Sequence, residues 1–241
     1  MSAMPTAFVA GATGYTGREV VRALRARGVE THAHVRPGSA ALERVEPLFR
    51  EVGAQLDTTP WDETALIATL ARIRPDAVFA LLGTTKARTR EASKRGDDPS
   101  KLGYEAVDYG LTAMLLRAVR AAEVRPRFVY LSSAGVKEGS TNAYLEVRAR
   151  FERELRESGV PYTIARPSFI TGPDREEDRP MERLGSAVAD AGLGLLGALG
   201  AKKLRDRYRS NTAGTLGASL VRHAFEATSA NVVLESERLR D

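Results

Sequence analysis

Gly11, Gly14 and Gly17 stand between the apolar run Ala7-Phe8-Val9-Ala10 and a helical stretch at residues 18–27. A strand that runs into glycines and then into a helix has the layout of a pyrophosphate cradle. The first glycine permits a tight turn, and the second lets the backbone approach the phosphates. The third lets the helix pack close to the sheet. The helix N-terminus presents backbone N–H groups to an anion. The spacing is G-x-x-G-x-x-G rather than the commoner G-x-G-x-x-G. With its flanking elements it predicts nucleotide binding by Gly11, Thr13, Gly14, Tyr15, Thr16 and Gly17.

A second apolar run, at 31–35, ends at Val35-Arg36. This is where an NAD site would place an acid on the ribose 2′-hydroxyl. No Asp or Glu occurs from Thr31 to Ala41, and Arg36 stands there instead. A guanidinium pairs with a 2′-phosphate, so the expected cofactor is NADP, with NADPH preferred over NADH. Arg18 is a second candidate for the phosphates.

Tyr144, Arg148, Phe151 and Leu155 fall at i, i+4, i+7 and i+11, with Val147 beside them. This is one face of a helix, and its apolar members make it the inward face. A tyrosine and an arginine at the start of such a stripe need polar company. A cofactor ribose and a substrate oxygen would supply it. A buried tyrosine beside an arginine that reaches out to solvent fits the same spacing.

The elements that must position these groups alternate. Strand patterns lie at 6–10, 31–35, 54–57, 77–82, 128–132 and 162–165. Helical patterns lie between them at 18–27, 40–52, 63–72, 104–123 and 144–157. This predicts an α/β fold, a Rossmann-like doubly wound parallel sheet with helices on both faces. Ligands then bind beyond the carboxyl ends of the strands. That rule selects the glycine turn, Arg36 to Ser39, the segment Leu82-Gly83-Thr84-Thr85, and Ser132-Ser133-Ala134-Gly135. After residue 166 the alternation fades. Pro167, Gly172, Pro173 and Pro180 punctuate a charged loop, an apolar glycine-rich stretch follows at 191–200, and a helix pattern at 212–227 precedes a strand pattern at 231–234. A single domain over 1–241 is expected, with a dinucleotide-binding core at about 4–166. The small C-terminal portion at about 167–241 is expected to cover the cofactor site and shape a substrate pocket.

Cysteine is absent, which excludes disulfides, thiolate metal sites and cysteine nucleophiles. Imidazole could come only from His32, His34 and His223. The first two are expected to face opposite sides of a strand, and no metal site is expected. No apolar run of membrane-spanning length and no leader pattern is present, so a soluble, cytoplasmic protein is expected. The net charge is +5, with acids and bases interspersed except in the basic run at 202–209. That run lacks interleaved aromatics, and a nucleic-acid partner is not expected. The expected partner is a small molecule; Leu193, Leu195, Leu196 and Leu199 fit an apolar one, and equally a core helix or an oligomer contact. A monomer or homodimer is expected.

The glycine turn, Tyr130-Leu131-Ser132-Ser133-Ala134-Gly135, and Tyr144 four residues before a cation together resemble the short-chain dehydrogenase/reductase superfamily, in its atypical and extended branches. Closer still is a similarity to the Tat-interactive-protein oxidoreductase family. Leu82-Gly83-Thr84-Thr85, Val107-Asp108-Tyr109, the serine pair, Tyr144 to Arg148, Arg166-Pro167 and residues 174–182 carry it, in order, over about residues 6–185. The resemblance implies that Ser133 hydrogen-bonds a substrate carbonyl while Tyr144 donates a proton to that oxygen as hydride arrives. The cation at 148 would hold the nicotinamide ribose and ease the loss of the tyrosine proton. Leu82, Gly83 and Thr84 would line the cofactor. Pro167, Ser168 and Ile170 would run beside the nicotinamide ring. Two positions depart from the usual pattern: Arg148 replaces a lysine, and Asp108 replaces an asparagine. The implied activity is that of an NADP-dependent oxidoreductase acting on a small carbonyl or alcohol. Arg148 keeps a second reading open, that of a non-catalytic, redox-sensing NADP(H)-binding regulator with a protein partner, as in NmrA-like relatives.

Overall fold

Strands buried on both faces read as near-continuous apolar runs, and the two central strands do. β1 (Thr6–Ala10) and β4 (Ala77–Ala80) lie side by side at the centre of the sheet, and the side chains from Ala7 to Ala10 and from Ala77 to Ala80 are fully buried. The computed structural model describes residues 4–84, 94, 103–168, 170–171 and 211–240. β1 leads into α1 (Tyr15–Ala26), β2 (Glu30–His34), α2 (Leu42–Glu51), β3 (Gln55–Asp57), α3 (Glu63–Ile73) and β4. A π-helical segment, Glu105–Leu111, runs into α4 (Thr112–Ala121). Next come β5 (Arg127–Leu131), α5 (Ala143–Glu157), β6 (Tyr162–Arg166) and β7 (Ile170–Thr171). β8 (Asn211–Thr212), α6 (Ala213–Phe225) and β9 (Val232–Glu235) complete the described chain.

Among the described residues seven strands form one all-parallel sheet in the order β3-β2-β1-β4-β5-β6-β9. This is the Rossmann-like α/β fold that the alternating pattern predicts. The strand order reverses beside β1, and the crevice there opens at the carboxyl ends of β1 and β4. Alternate residues of the strands feed two cores. Ala7, Val9, Phe79 and Val129 pack with α1, α2 and α6 on one face. Phe8, Val78, Phe128 and Tyr130 pack with α3, α4 and α5 on the other. β7 and β8 form a separate two-residue parallel pair.

The helix predicted over 104–123 begins as a π-helical segment. Such segments are rare and tend to occur at functional sites. This one carries the buried Asp108. The C-terminal strand and helix are built into the main sheet: β9 extends it beside β6, and α6 lies against α1. Residues 172–210, the rest of the portion expected to cover the cofactor site, lie outside the described residues. The histidine expectation is corrected. His32 and His34 are two residues apart on β2, and the period of a strand puts them on the same face. The His34 ring lies 5.4 Å from Phe8 and 4.9 Å from Trp61, and its Nε2 is 2.7 Å from the Thr59 carbonyl oxygen.

Candidate functional site

The glycine turn is shaped by how closely backbone meets backbone. Gly11 has φ +86°, and a Cβ there would lie 2.6 Å from the Leu81 carbonyl oxygen at the end of β4. A Cβ at Gly17 would fall 2.1 Å from the Gly11 oxygen. The first glycine thus permits both the turn and its contact with the neighbouring strand, and the third lets α1 close on the turn. Gly14 differs. Its N–H donates to the Gly11 oxygen at 3.0 Å, and a Cβ would meet only that oxygen, at 3.2 Å. Beyond its chain neighbours, no other heavy atom of the described residues lies within 4 Å of that position. α3, α5 and α6 each start on a side chain that accepts a backbone N–H: Asp62, Asn142 and Thr212. α1 starts on Gly14 with no such side chain and no acid in its first turn. A glycine-walled helix start with no acid in its first turn fits a pyrophosphate. Thr13 and Tyr15 are half-buried beside it, and Thr16 is buried.

Arg36 is exposed just beyond β2, in a turn where its carbonyl accepts the Ser39 N–H at 3.2 Å. An acid does stand nearby, on the adjacent strand. Asp57 ends β3 opposite His34, buried, with Oδ1 accepting the Thr59 N–H at 3.0 Å. The sequence window from Thr31 to Ala41 does not reach it.

The two departures from the usual pattern prove to be partners. Arg148 Nη2 donates to Asp108 Oδ1 at 2.7 Å, and the residues are 5% and 1% exposed. The other Asp108 oxygen accepts the Thr84 N–H at 3.0 Å. Arg148 Nη1 donates to the Leu131 carbonyl at 2.5 Å, while Nε is buried with no partner among the described residues. The pair packs against the backbone of Gly83, where a Cβ would lie 3.2 Å from Arg148 Nη2 and 3.4 Å from Asp108 Oδ1. The Arg148 guanidinium carbon stands 4.6 Å from the centre of the Tyr144 ring, and the Tyr104 ring lies 5.3 Å from it. Contacts therefore run from the end of β4, through Asp108 and Arg148, to the end of β5 and the half-buried Tyr144. Burial opposes the Arg148 charge, but Tyr130, Tyr144 and Asp108 outweigh it and hold the guanidinium above the arginine range. Burial raises the Asp108 carboxyl, and Arg148 opposes the rise. Both Asp108 oxygens accept from N–H donors, a pattern that the carboxylate satisfies.

The serine pair divides. Ser132 is buried and donates to Glu152 Oε1 at 2.6 Å, while Ser133 is half-buried with Oγ 3.3 Å from the Ala134 carbonyl. Glu152, fully buried, also accepts from Arg166 Nε at 2.9 Å and Nη2 at 2.6 Å, and from Arg156 at 2.7 Å. Arg166 reaches on to Glu235 of β9 at 3.1 Å. This network anchors the turn that presents Ser133. Glu152 stands four residues after Arg148, on the same face of α5.

Pro167 accepts the Ala134 N–H through its carbonyl at 2.8 Å, which puts the end of β6 beside the Ser133 turn. The Ser168 N–H donates to Ser236 Oγ at 3.2 Å, and Ile170 pairs with Asn211. Leu82 and Thr84 are half-buried at the end of β4. Thr85, the run 174–182, Leu193, Leu195, Leu196, Leu199 and the basic run 202–209 lie outside the described residues.

The sequence matches the NAD(P)H-binding family over residues 11–191. It is 28% identical to protein fmp52-1, mitochondrial, of Aspergillus terreus, covering 77% of this chain and 75% of that one. It is 30% identical to protein fmp52, mitochondrial, of Aspergillus clavatus, over 74% and 72%. It is also 28% identical to the ceramide reductase of Caulobacter vibrioides, over 70% of this chain and 47% of that one. Among solved structures, AtPrR2 with NADP+ and (+)pinoresinol is similar with a TM-score of 0.64 at 16% identity, over 99% and 74% of the two chains. UDP-glucose-4-epimerase from Stenotrophomonas maltophila with bound NAD has a TM-score of 0.61 at 17% identity, over 92% and 74%. The expectation of a cytoplasmic protein is corrected by the fungal relatives, which are named mitochondrial. No helix among the described residues is long and apolar enough to cross a membrane.

Proposed function

The chain belongs to the NAD(P)H-binding family, and from that premise we propose that it is an NADP-dependent oxidoreductase of the short-chain dehydrogenase/reductase type, acting on a small carbonyl or alcohol. The observation that carries the reading is the cluster at the carboxyl ends of β4 and β5. There Arg148 lies under the Tyr144 ring and is tied to the Leu131 carbonyl, two residues before Ser133. When bound, the dinucleotide supplies the hydride. Gly11 to Gly17 would hold its pyrophosphate, and Arg36 its 2′-phosphate. Ser133 Oγ would hold the substrate oxygen, and Tyr144 would pass it a proton. The network through Ser132, Glu152 and Arg166 fixes the turn on which Ser133 stands, so little reorganisation is needed at the reacting oxygen. Reduction of a carbonyl is the direction favoured by the similarity to a ceramide reductase.

The test is a panel of apolar aldehydes, ketones and quinones with NADPH, followed by nicotinamide absorbance. Turnover that Tyr144→Phe removes supports the reading. One observation favours the sensor alternative: both terminal nitrogens of Arg148 are already engaged, by Asp108 and by Leu131. Tight NADPH binding with no Tyr144-dependent turnover would put that alternative in its place.

A further inference from the structure

The cation beneath Tyr144 is not a lone one. Asp108 touches Arg148 at 2.7 Å, and both are almost wholly buried. A charge and its counter-charge act on a third group as a dipole, whose effect fades faster with distance than that of a single charge. Among the described residues, the groups that face Tyr144 are Arg148 on its own helix and Tyr104 just before the π-helical segment, with Tyr130 of β5 and Asp108 next around the guanidinium. Among these only Arg148 is positive.

We propose that Asp108 is a positioning residue which, through Arg148, keeps Tyr144 a proton donor to higher pH than an uncompensated arginine would. This rests on the oxidoreductase reading and says in what pH range each direction runs. In reduction the Tyr144 O–H bond breaks and its proton goes to the carbonyl oxygen. The hydride from NADPH goes to the carbonyl carbon, and water restores the phenol proton. In oxidation the phenolate takes the alcohol proton, and NADP+ takes the hydride. A tyrosine that keeps its proton therefore suits carbonyl reduction over a broad range and confines alcohol oxidation to alkaline solution.

The test reads the tyrosine directly, without turnover. Phenolate formation is followed by ultraviolet absorbance in the dinucleotide-free chain, and the Tyr144 component is isolated by subtracting the titration of Tyr144→Phe. Asp108→Asn leaves Arg148 charged and should move that component to lower pH by about one unit, the scale of an opposite charge at close range. Asp108→Glu, which keeps the counter-charge, should hold it near the parent position. The uncharged pair Asp108→Asn with Arg148→Gln should titrate close to the parent, well within one unit, since it removes two charges whose effects on Tyr144 largely offset. That variant decides the matter if Asp108→Asn does not fold. An unchanged titration in folded Asp108→Asn overturns the proposal, and so does a rise of about one unit in the double variant. With an active substrate, the alkaline fall of the reduction rate should follow the same shifts. A chain that binds NADPH but reduces nothing defeats the catalytic reading alone, and the titration still judges the pair.

Discussion

Gly17 stands so close to Gly11 that a Cβ on it would lie 2.1 Å from the Gly11 oxygen. The first turn of α1 and the glycine turn are thus one packed unit, and the atoms that must give way are backbone. Gly17→Ala should cost about 3 kcal/mol of stability, the upper end for atoms forced into filled space. Urea unfolding measures it, and a loss well under about 1 kcal/mol would show that the turn relaxes freely.

Gly14 should behave otherwise. Among the described residues its Cβ would meet one oxygen, at 3.2 Å. Gly14→Val should keep the fold, read by circular dichroism, and lose NADPH binding, read by calorimetry. Normal binding by the folded variant would place the cradle elsewhere.

Arg36, exposed beyond β2, should give NADPH an advantage over NADH of about 1–3 kcal/mol, the range of a charge-assisted hydrogen bond. Arg36→Asp should erase or invert it. Calorimetric titration with both dinucleotides is the measurement, and equal affinities in the parent protein contradict the assignment.

Tyr144 is half-buried, and its ring rests on Arg148. Tyr144→Phe should abolish carbonyl reduction and leave NADPH affinity within about tenfold, because the phenol oxygen contributes at most one hydrogen bond to the dinucleotide. Arg148→Ala should do broader damage. It strands the buried Asp108 carboxylate, a change that costs about 3–5 kcal/mol. Steady-state rates beside thermal unfolding separate the two effects.

Burial lowers His32, His34 and His223 below the ordinary histidine value of 6.5. The folded protein therefore refuses protons that the unfolded chain accepts, and stability falls as pH drops through that value toward the folded-state values. His34→Gln keeps a donor for the Thr59 carbonyl but cannot charge, so it should shrink the fall. Urea midpoints at neutral and mildly acidic pH give the comparison. An equal fall in parent and variant would assign the effect to other groups.

The sheet was legible because strands buried on both faces need unbroken apolar runs, as at Ala7 to Ala10 and Ala77 to Ala80. The glycine turn was legible because its constraints are local, each within a few residues. The Asp108–Arg148 contact was not. The partners are 40 residues apart, and read singly each is only an unusual residue at its position. Glu152 escaped for a related reason: a glutamate on an inward helical stripe makes sense only once Ser132, Arg156 and Arg166 converge on it. Where β9 and α6 belong was equally hidden, because their place in the sheet depends on contacts with β6 and α1, far back along the chain.

The helix that would face the phosphates is held by a helix made much later. A Cβ on Gly217 of α6 would lie 3.0 Å from the backbone of Glu19 in α1, and Leu216, Leu220, Val221 and Ala224 share a core with Val20, Val21 and Leu24. During synthesis the glycine turn leaves the ribosome before α6 does, and the flank of α1 lacks these contacts until residues 213–225 have followed. Contacts of such long sequence separation form late in folding. Competence to bind dinucleotide is thus a late event in the life of each molecule, and a nascent chain that stalls before α6 has the cradle sequence without a fixed cradle.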